Sequence, residues 1–177
     1  MMQKIIIIGA LLFLAAILIR VLAWKKKPSG GGDLNAEMAA LAEEAVKFAN
    51  KKGVNLDYSK DSVQRVEQIL ADLHQSRSKG QLPDSDLDMH AHRFGAYIGE
   101  VLRRMHGGHW ARDSDVGGPD SFPIHWNGGQ TFPIAWCGKR IINGDEDNVW
   151  FKFQVFTSEE YRRGALTPKA EDRKTGE

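Results

Sequence analysis

The chain has 177 residues and a formal net charge of +1. The first 27 residues hold five basic and no acidic residues, which leaves 19 basic and 23 acidic residues for positions 28–177. This slightly acidic remainder argues against nucleic acid as a partner, because phosphate binding requires a concentrated basic surface. Cys137 is the only cysteine. The chain therefore has no framework of internal disulfide bonds.

The N-terminal segment from Ile5 to Trp24 is apolar apart from one arginine. As a helix it would span about 30 Å, which matches the hydrocarbon core of a bilayer. Lys4 provides the basic start of a cleaved signal peptide, but the bulky and charged residues after Ile19 suit signal peptidase poorly. We therefore predict an uncleaved, single-pass transmembrane anchor over residues 1–24, in contact with membrane lipid.

The basic residues near the anchor predict its orientation. Arg20 can extend to the lipid headgroups, although it could instead pair with an acidic group of a partner helix. The heavier positive charge follows the apolar segment, which favours a cytoplasmic location for residues 28–177 at a bacterial inner membrane. The residues expected to anchor the chain are Arg20, Trp24, Lys25, Lys26 and Lys27.

Composition divides the rest of the chain into three parts. Residues 25–33 are basic and rich in glycine, which is typical of a linker. Residues 34–163 have the length and the aromatic content of one folded domain. Residues 164–177 are polar, and we expect a disordered tail there.

Three amphipathic helices are predicted in the first part of the domain. Apolar residues recur at helical spacing from Leu34 until a stop near Gly53, and again from Ser59 or Asp61 to about residues 76–80. A third helix is predicted over residues 85–106, followed by Gly107 and Gly108.

From His109 onward the pattern changes to short apolar runs separated by glycine, proline and asparagine. The motif Phe-Pro-Ile-x-Trp occurs twice, within residues 121–126 and 131–136, around a turn signal at residues 127–130. Both copies are predicted as extended segments, with their prolines at strand edges or strand starts. Alternation over residues 148–156 predicts the best strand of the chain. The expected fold is therefore α+β, with about three helices packed on a small antiparallel sheet.

The third predicted helix and the residues just after it hold the densest group of chemically useful side chains. Gly95 and Gly99 each cost a helix about 1 kcal/mol relative to alanine, which indicates close approach of another element, or of a ligand. Glu100 can pair with Arg103 or Arg104, as a structural ion pair or as a site carboxylate. The candidate ligand or partner site comprises Tyr97, Glu100, Arg103, His106, His109 and Trp110.

No familiar catalytic or metal-binding spacing occurs in the chain. The six histidines and Cys137 form no HExxH or CxxC pattern, and no serine nucleophile elbow is present. His106 and His109 flank the glycine turn and could converge, but the spacing does not predict a metal. We therefore predict no catalytic residue, no metal site and no cofactor.

Three sequence blocks, GAYIGEVLRR at 95–104, GGHW at 107–110 and KRIING at 139–144, resemble a pattern found in small uncharacterised bacterial domains. In those domains a glycine-bearing helix precedes a tryptophan strand and a later Arg-x-x-Asn-Gly turn. The resemblance covers roughly residues 55–156. It implies a compact α+β domain without an assigned activity, and some similar domains act as binding or immunity modules.

These features predict a protein-binding module at the membrane surface, with a protein as the partner. Exposed aromatic anchors are expected among Trp126, Trp136 and Trp150. The alternatives are a membrane-tethered enzyme or small-ligand sensor that uses the candidate site, and an immunity protein against a toxin.

Overall fold

The computed structural model describes residues 33–159 and Tyr161. The predicted anchor at 1–24, the linker up to Gly32 and the tail at 164–177 lie outside these residues and stay predictions. In the described part of the chain, no helix combines the length and the apolar character needed to cross a membrane.

The three predicted helices are confirmed. They are α1 (Leu34–Lys51), α2 (Lys60–Ser78) and α3 (Asp84–His106). Asp33 caps α1 by accepting a hydrogen bond from the backbone N–H of Asn35, and Ser59 caps α2 by accepting one from Ser62. Both caps satisfy backbone donors that the first helical turn leaves open. Local spacing and capping residues therefore predicted where these helices begin and end.

Helix α3 lies at the centre of the packing, between α1 and the later helix α4 (Pro133–Asn143). Its two glycines, four residues apart on one face, permit the close approach that the sequence predicted. A Cβ atom at Gly95 would lie 2.4 Å from the backbone of Ile134, and one at Gly99 would lie 2.0 Å from the indole ring of Trp110. Contacts this short leave no room for a side chain, so glycine is required at both positions.

A three-stranded antiparallel sheet follows α3. Its strands are β1 (His109–Trp110), β2 (Ile124–Trp126) and β3 (Gly129–Thr131), in the order β1-β2-β3. The predicted turn joins β2 to β3, with positive φ angles at Asn127 and Gly128. Two successive positive φ angles are typical of the two-residue turns that match the twist of a hairpin.

The second copy of the repeated motif and the predicted best strand are both helical, so these two predictions were wrong. Pro133 occupies the first turn of α4, where its missing N–H costs nothing. Helix α5 (Val149–Thr157) begins after Asn148, whose side chain caps the helix by accepting a hydrogen bond from the backbone N–H of Phe151. Only Val149 and Phe153, four residues apart, are buried on α5. The alternating pattern indicated a strand, but the segment buries only a narrow stripe of side chains, which one face of a helix provides.

A buried ion pair attaches the two later helices to α2. The carboxylate of Glu67 accepts hydrogen bonds from Nε of Arg140 at 2.5 Å and from the backbone N–H of Val149 at 2.8 Å. Arg140 is 2% exposed and also donates to Asp145, which lies in a short 3₁₀ helix between α4 and α5. Each buried charge thus has a partner, as burial away from water requires. The described residues form an α+β fold in which five α-helices are packed on a small antiparallel sheet.

Candidate functional site

The structure does not gather the predicted site residues into one cavity. Tyr97 is fully buried and its hydroxyl faces α2, at 2.6 Å from the hydroxyl of Ser62. The same oxygen accepts a hydrogen bond from the backbone N–H of Tyr58 at 2.7 Å. Burial raises the pKa of Tyr97. A buried neutral phenol with two hydrogen-bonded neighbours connects helices and is not placed to meet a ligand.

Glu100, Arg103 and Trp110 do come together. The carboxylate of Glu100 is fully buried and accepts two hydrogen bonds, each 2.9 Å long, from the guanidinium of Arg103. It also accepts one from the indole N–H of Trp110 at 3.1 Å. These three bonds satisfy both carboxylate oxygens, so the arrangement is that of a structural ion pair joining α3 to β1. Arg104, the other predicted partner, instead stacks on the ring of Tyr58.

The two histidines of the predicted site have separate neighbours. The ring of His106 stacks on Trp126, with ring centroids 5.0 Å apart. The ring of His109 stacks on His125, 5.2 Å away across the β1–β2 pair. Sequence spacing suggested that His106 and His109 would converge, whereas the strand register pairs His109 with a residue 16 positions further along.

The predicted aromatic anchors are less exposed than expected. Trp126 is only 6% exposed and belongs to the core. Trp136 and Trp150 are half-buried, and the ring of Trp150 stacks near that of Phe153. Among the described residues of α5, Phe151 is the exposed aromatic, with 66% of its surface open to solvent.

A cleft that the sequence did not predict lies between the loop at residues 116–121, α4 and α5. Its volume is about 740 Å³. Its walls are largely apolar and include Val116, Phe132, Ile134, Trp136 and Phe156. Apolar clefts of this size, with a few polar groups at the edge, are typical of binding sites. The second copy of Phe-Pro-Ile-x-Trp supplies Phe132, Ile134 and Trp136, so the motif was the one sequence signal for this surface.

Charged side chains occupy the edge of the cleft. Lys152 donates to the carboxylate of Asp147, and this hydrogen bond together with one from Asn143 lowers the pKa of Asp147. Asp120 is within 3.5 Å of Arg112. Lys139 is exposed at the same edge, and no ion pair of the described residues involves it. The edge therefore presents one basic group, Lys139, that forms no ion pair within the described chain, beside an apolar wall.

No three histidine, cysteine, aspartate or glutamate side chains among the described residues lie close enough to hold a metal ion. Cys137 is fully buried, and burial raises the pKa of its thiol, which disfavours the reactive thiolate. Comparisons with models of protein families, with curated proteins and with solved structures gave no match.

Proposed function

We propose that this protein is a membrane-anchored binding module whose cleft takes an apolar segment of a partner protein. The observation that carries the proposal is the cleft itself, in which Trp136, Phe132 and Phe156 form an open aromatic wall. Buried aromatic contacts dominate the free energy of binding at most protein interfaces. In this proposal the aromatic wall makes the contacts with the partner that the sequence analysis assigned to exposed tryptophans.

The charge at the cleft edge narrows the partner's chemistry. Lys139 lies on α4 one turn after Trp136 and forms no ion pair within the described chain, although its charge contributes to the lowered pKa of Asp147. A bound segment with an apolar residue next to an aspartate or glutamate would contact the aromatic wall through the first and pair with Lys139 through the second. Such a pair of contacts selects against basic segments as well as favouring acidic ones.

Residues 1–24 are the anchor in this proposal, and residues 28–177 are cytoplasmic. The asymmetry of basic residues supports this orientation. Paired C-terminal fusions test it, with one reporter active only in the cytoplasm and one active only in the periplasm. Activity of the periplasmic reporter alone would reverse the topology without bearing on the cleft.

The alternatives are less well supported. An enzyme or small-ligand sensor built from Tyr97, Glu100, Arg103, His106 and His109 requires these side chains to share a site. Of the five, only His109 lines a described cavity. An immunity protein is a special case of the binding module, in which the partner is a toxin, and the identity of the captured partner distinguishes it.

Photo-crosslinking tests the cleft directly. Benzoylphenylalanine at position 135, an exposed alanine that lines the cleft, should crosslink one defined protein in membranes of cells that make this chain naturally. The matched control carries the same group at Phe151, which is exposed on α5 but outside the cleft.

Two further variants complete the test. Lys139→Glu should abolish the crosslink from position 135, and Lys139→Arg should retain it. Equal labelling from positions 135 and 151, or none from position 135, would contradict the proposal. If the crosslink persists with Lys139→Glu, the proposed preference for an acidic segment is wrong, while the proposed apolar contact still stands.

A further inference from the structure

The exposed face of the sheet presents a row of three polar side chains. The register pairs His109 with His125, and His125 with Gln130, so these residues lie side by side across the three strands. The neighbouring strand residues Trp110, Ile124 and Thr131 are buried on the opposite face. Alternation along each strand therefore directs His109, His125 and Gln130 to the same side.

The two imidazole rings lie close together, and their nitrogens form no hydrogen bond with other groups of the described chain. Their centroids are 5.2 Å apart and their planes differ by 11°. Within the described chain, no hydrogen bond holds a ring nitrogen of either residue, whereas His74 and His92 each use Nδ1 to bind a backbone carbonyl. The strands are held close at this point because Gly108 passes His125 so tightly that a Cβ atom would lie 2.3 Å from its carbonyl oxygen.

The ring separation matches the requirement of a shared metal ion. A Zn²⁺ about 2.0–2.1 Å from one nitrogen of each ring would lie about 3.2 Å from each centroid. A tetrahedral angle at the metal then places the centroids about 5 Å apart, which agrees with the observed separation. Because the two rings are nearly parallel, each turns about χ2, a soft torsion for histidine, to direct a nitrogen lone pair towards that position.

The surroundings also favour a cation. Gln130 offers an amide oxygen at the end of the row, where it accepts a hydrogen bond from Ser114 at 3.0 Å. Asp113 and Asp115 line a cavity of about 510 Å³ together with His125 and Gln130. Carboxylates so near would attract a divalent ion to the two imidazoles.

We propose that His109 and His125 together bind a divalent transition-metal ion, with zinc as the ion that fits their separation. The two imidazoles are the protein's nitrogen ligands, and the amide oxygen of Gln130 and water fill the remaining positions. This open, two-histidine site is separate from the cleft and does not depend on the proposed protein partner.

Calorimetric titration of the full chain in detergent with Zn²⁺ alone tests the site. One ion should bind per chain. His109→Ala and His125→Gln should each weaken binding about tenfold or more, because even the loss of a group that only supports a ligand costs 10–100-fold. His92→Ala is the matched control, since it removes a histidine that is partly buried, like His125, from another surface and should leave the affinity unchanged.

A second measurement guards against misfolded variants. In spectra that correlate the ring nitrogens of the 15N-labelled chain, Zn²⁺ should shift the signals of His109 and His125 and leave the other four histidines in place. Absence of binding to the unaltered chain would overturn the proposal. So would binding that survives both substitutions, or ring shifts confined to other histidines, with far-UV circular dichroism showing that each variant is folded.

Discussion

Two buried carboxylates hold the later part of the chain to the first three helices, and they do so differently. Glu67 pairs with Arg140, which lies 73 positions away and is even more buried than Glu67. Glu100 pairs with Arg103 on the same helix, whose side chain is 35% exposed. The first pair excludes water from both charges, while the second leaves the arginine in contact with solvent. Removing one partner should therefore cost more at Glu67 than at Glu100.

Glu67→Gln should give the largest loss of stability. It removes the buried counter-charge of Arg140, which keeps only the exposed Asp145 as a partner, and it weakens the bond to the backbone of Val149. We therefore expect a loss of about 3–5 kcal/mol. Urea unfolding of the full chain in detergent, followed by far-UV circular dichroism, measures it. Arg140→Met with Glu67→Met should recover much of the loss, since an apolar pair has no buried charge. A loss below that of Glu100→Gln would contradict the comparison.

Glu100→Gln should cost less, about 1.5–3 kcal/mol, which is the range for hydrogen bonds to charged groups. Arg103 can turn to water when its carboxylate is removed, but the indole N–H of Trp110 loses part of its acceptor. The same urea measurement applies, with Glu43→Gln as a control for an exposed glutamate that bonds a tyrosine hydroxyl. Equal effects at positions 43 and 100 would mean that burial of Glu100 contributes nothing.

Gly99→Ala should distinguish the two ion pairs further, because it disturbs the surroundings of Glu100 and not those of Glu67. The added methyl would lie 2.0 Å from the Trp110 ring and force it away from Glu100. Overpacking of this kind costs about 1–3 kcal/mol. The near-ultraviolet circular dichroism should change because an indole moves. Gly138→Ala is the control, since its methyl would meet only Ala91 at 3.7 Å. An unchanged stability with Gly99→Ala would show that the packing is looser than described.

The smallest effect concerns His90, which is buried on the same helix as Glu100. Its Nδ1 has no hydrogen-bond partner among the described residues. Burial, with a further contribution from Arg93, lowers its pKa from 6.5 to about 4. The unfolded chain therefore binds a proton below pH 6.5 that the folded chain does not bind until about pH 4. Stability should fall by about 1 kcal/mol from pH 7 to pH 5.5 through this group.

His90→Leu should remove that part of the pH dependence, as urea unfolding at the two pH values would show. His92→Leu serves as the control, because the His92 ring is half-exposed on the same helix. A pH dependence that His90→Leu leaves unchanged would assign the effect to other groups.

The sequence by itself determined the parts of the molecule that depend on near neighbours. Helical spacing and caps predicted α1, α2 and α3, and the residues Asn127 and Gly128 predicted the hairpin turn. The i,i+3 and i,i+4 relations predicted Arg103 or Arg104 as the partner of Glu100, and the structure selects Arg103. The cost of glycine within a helix predicted close packing at Gly95 and Gly99, although not that Ile134 and Trp110 would approach there.

Only the tertiary structure decided the rest, because it depends on residues far apart in the chain. Residues 133–143 and 149–157 have apolar patterns that suit either a strand or a helix, and packing against α2 and α3 selects the helix. The pairing of Glu67 with Arg140 and the cleft walls follow from that packing. The approach of His109 to His125 depends on strand register, which Gly108 and the hairpin set together and which no local spacing reveals.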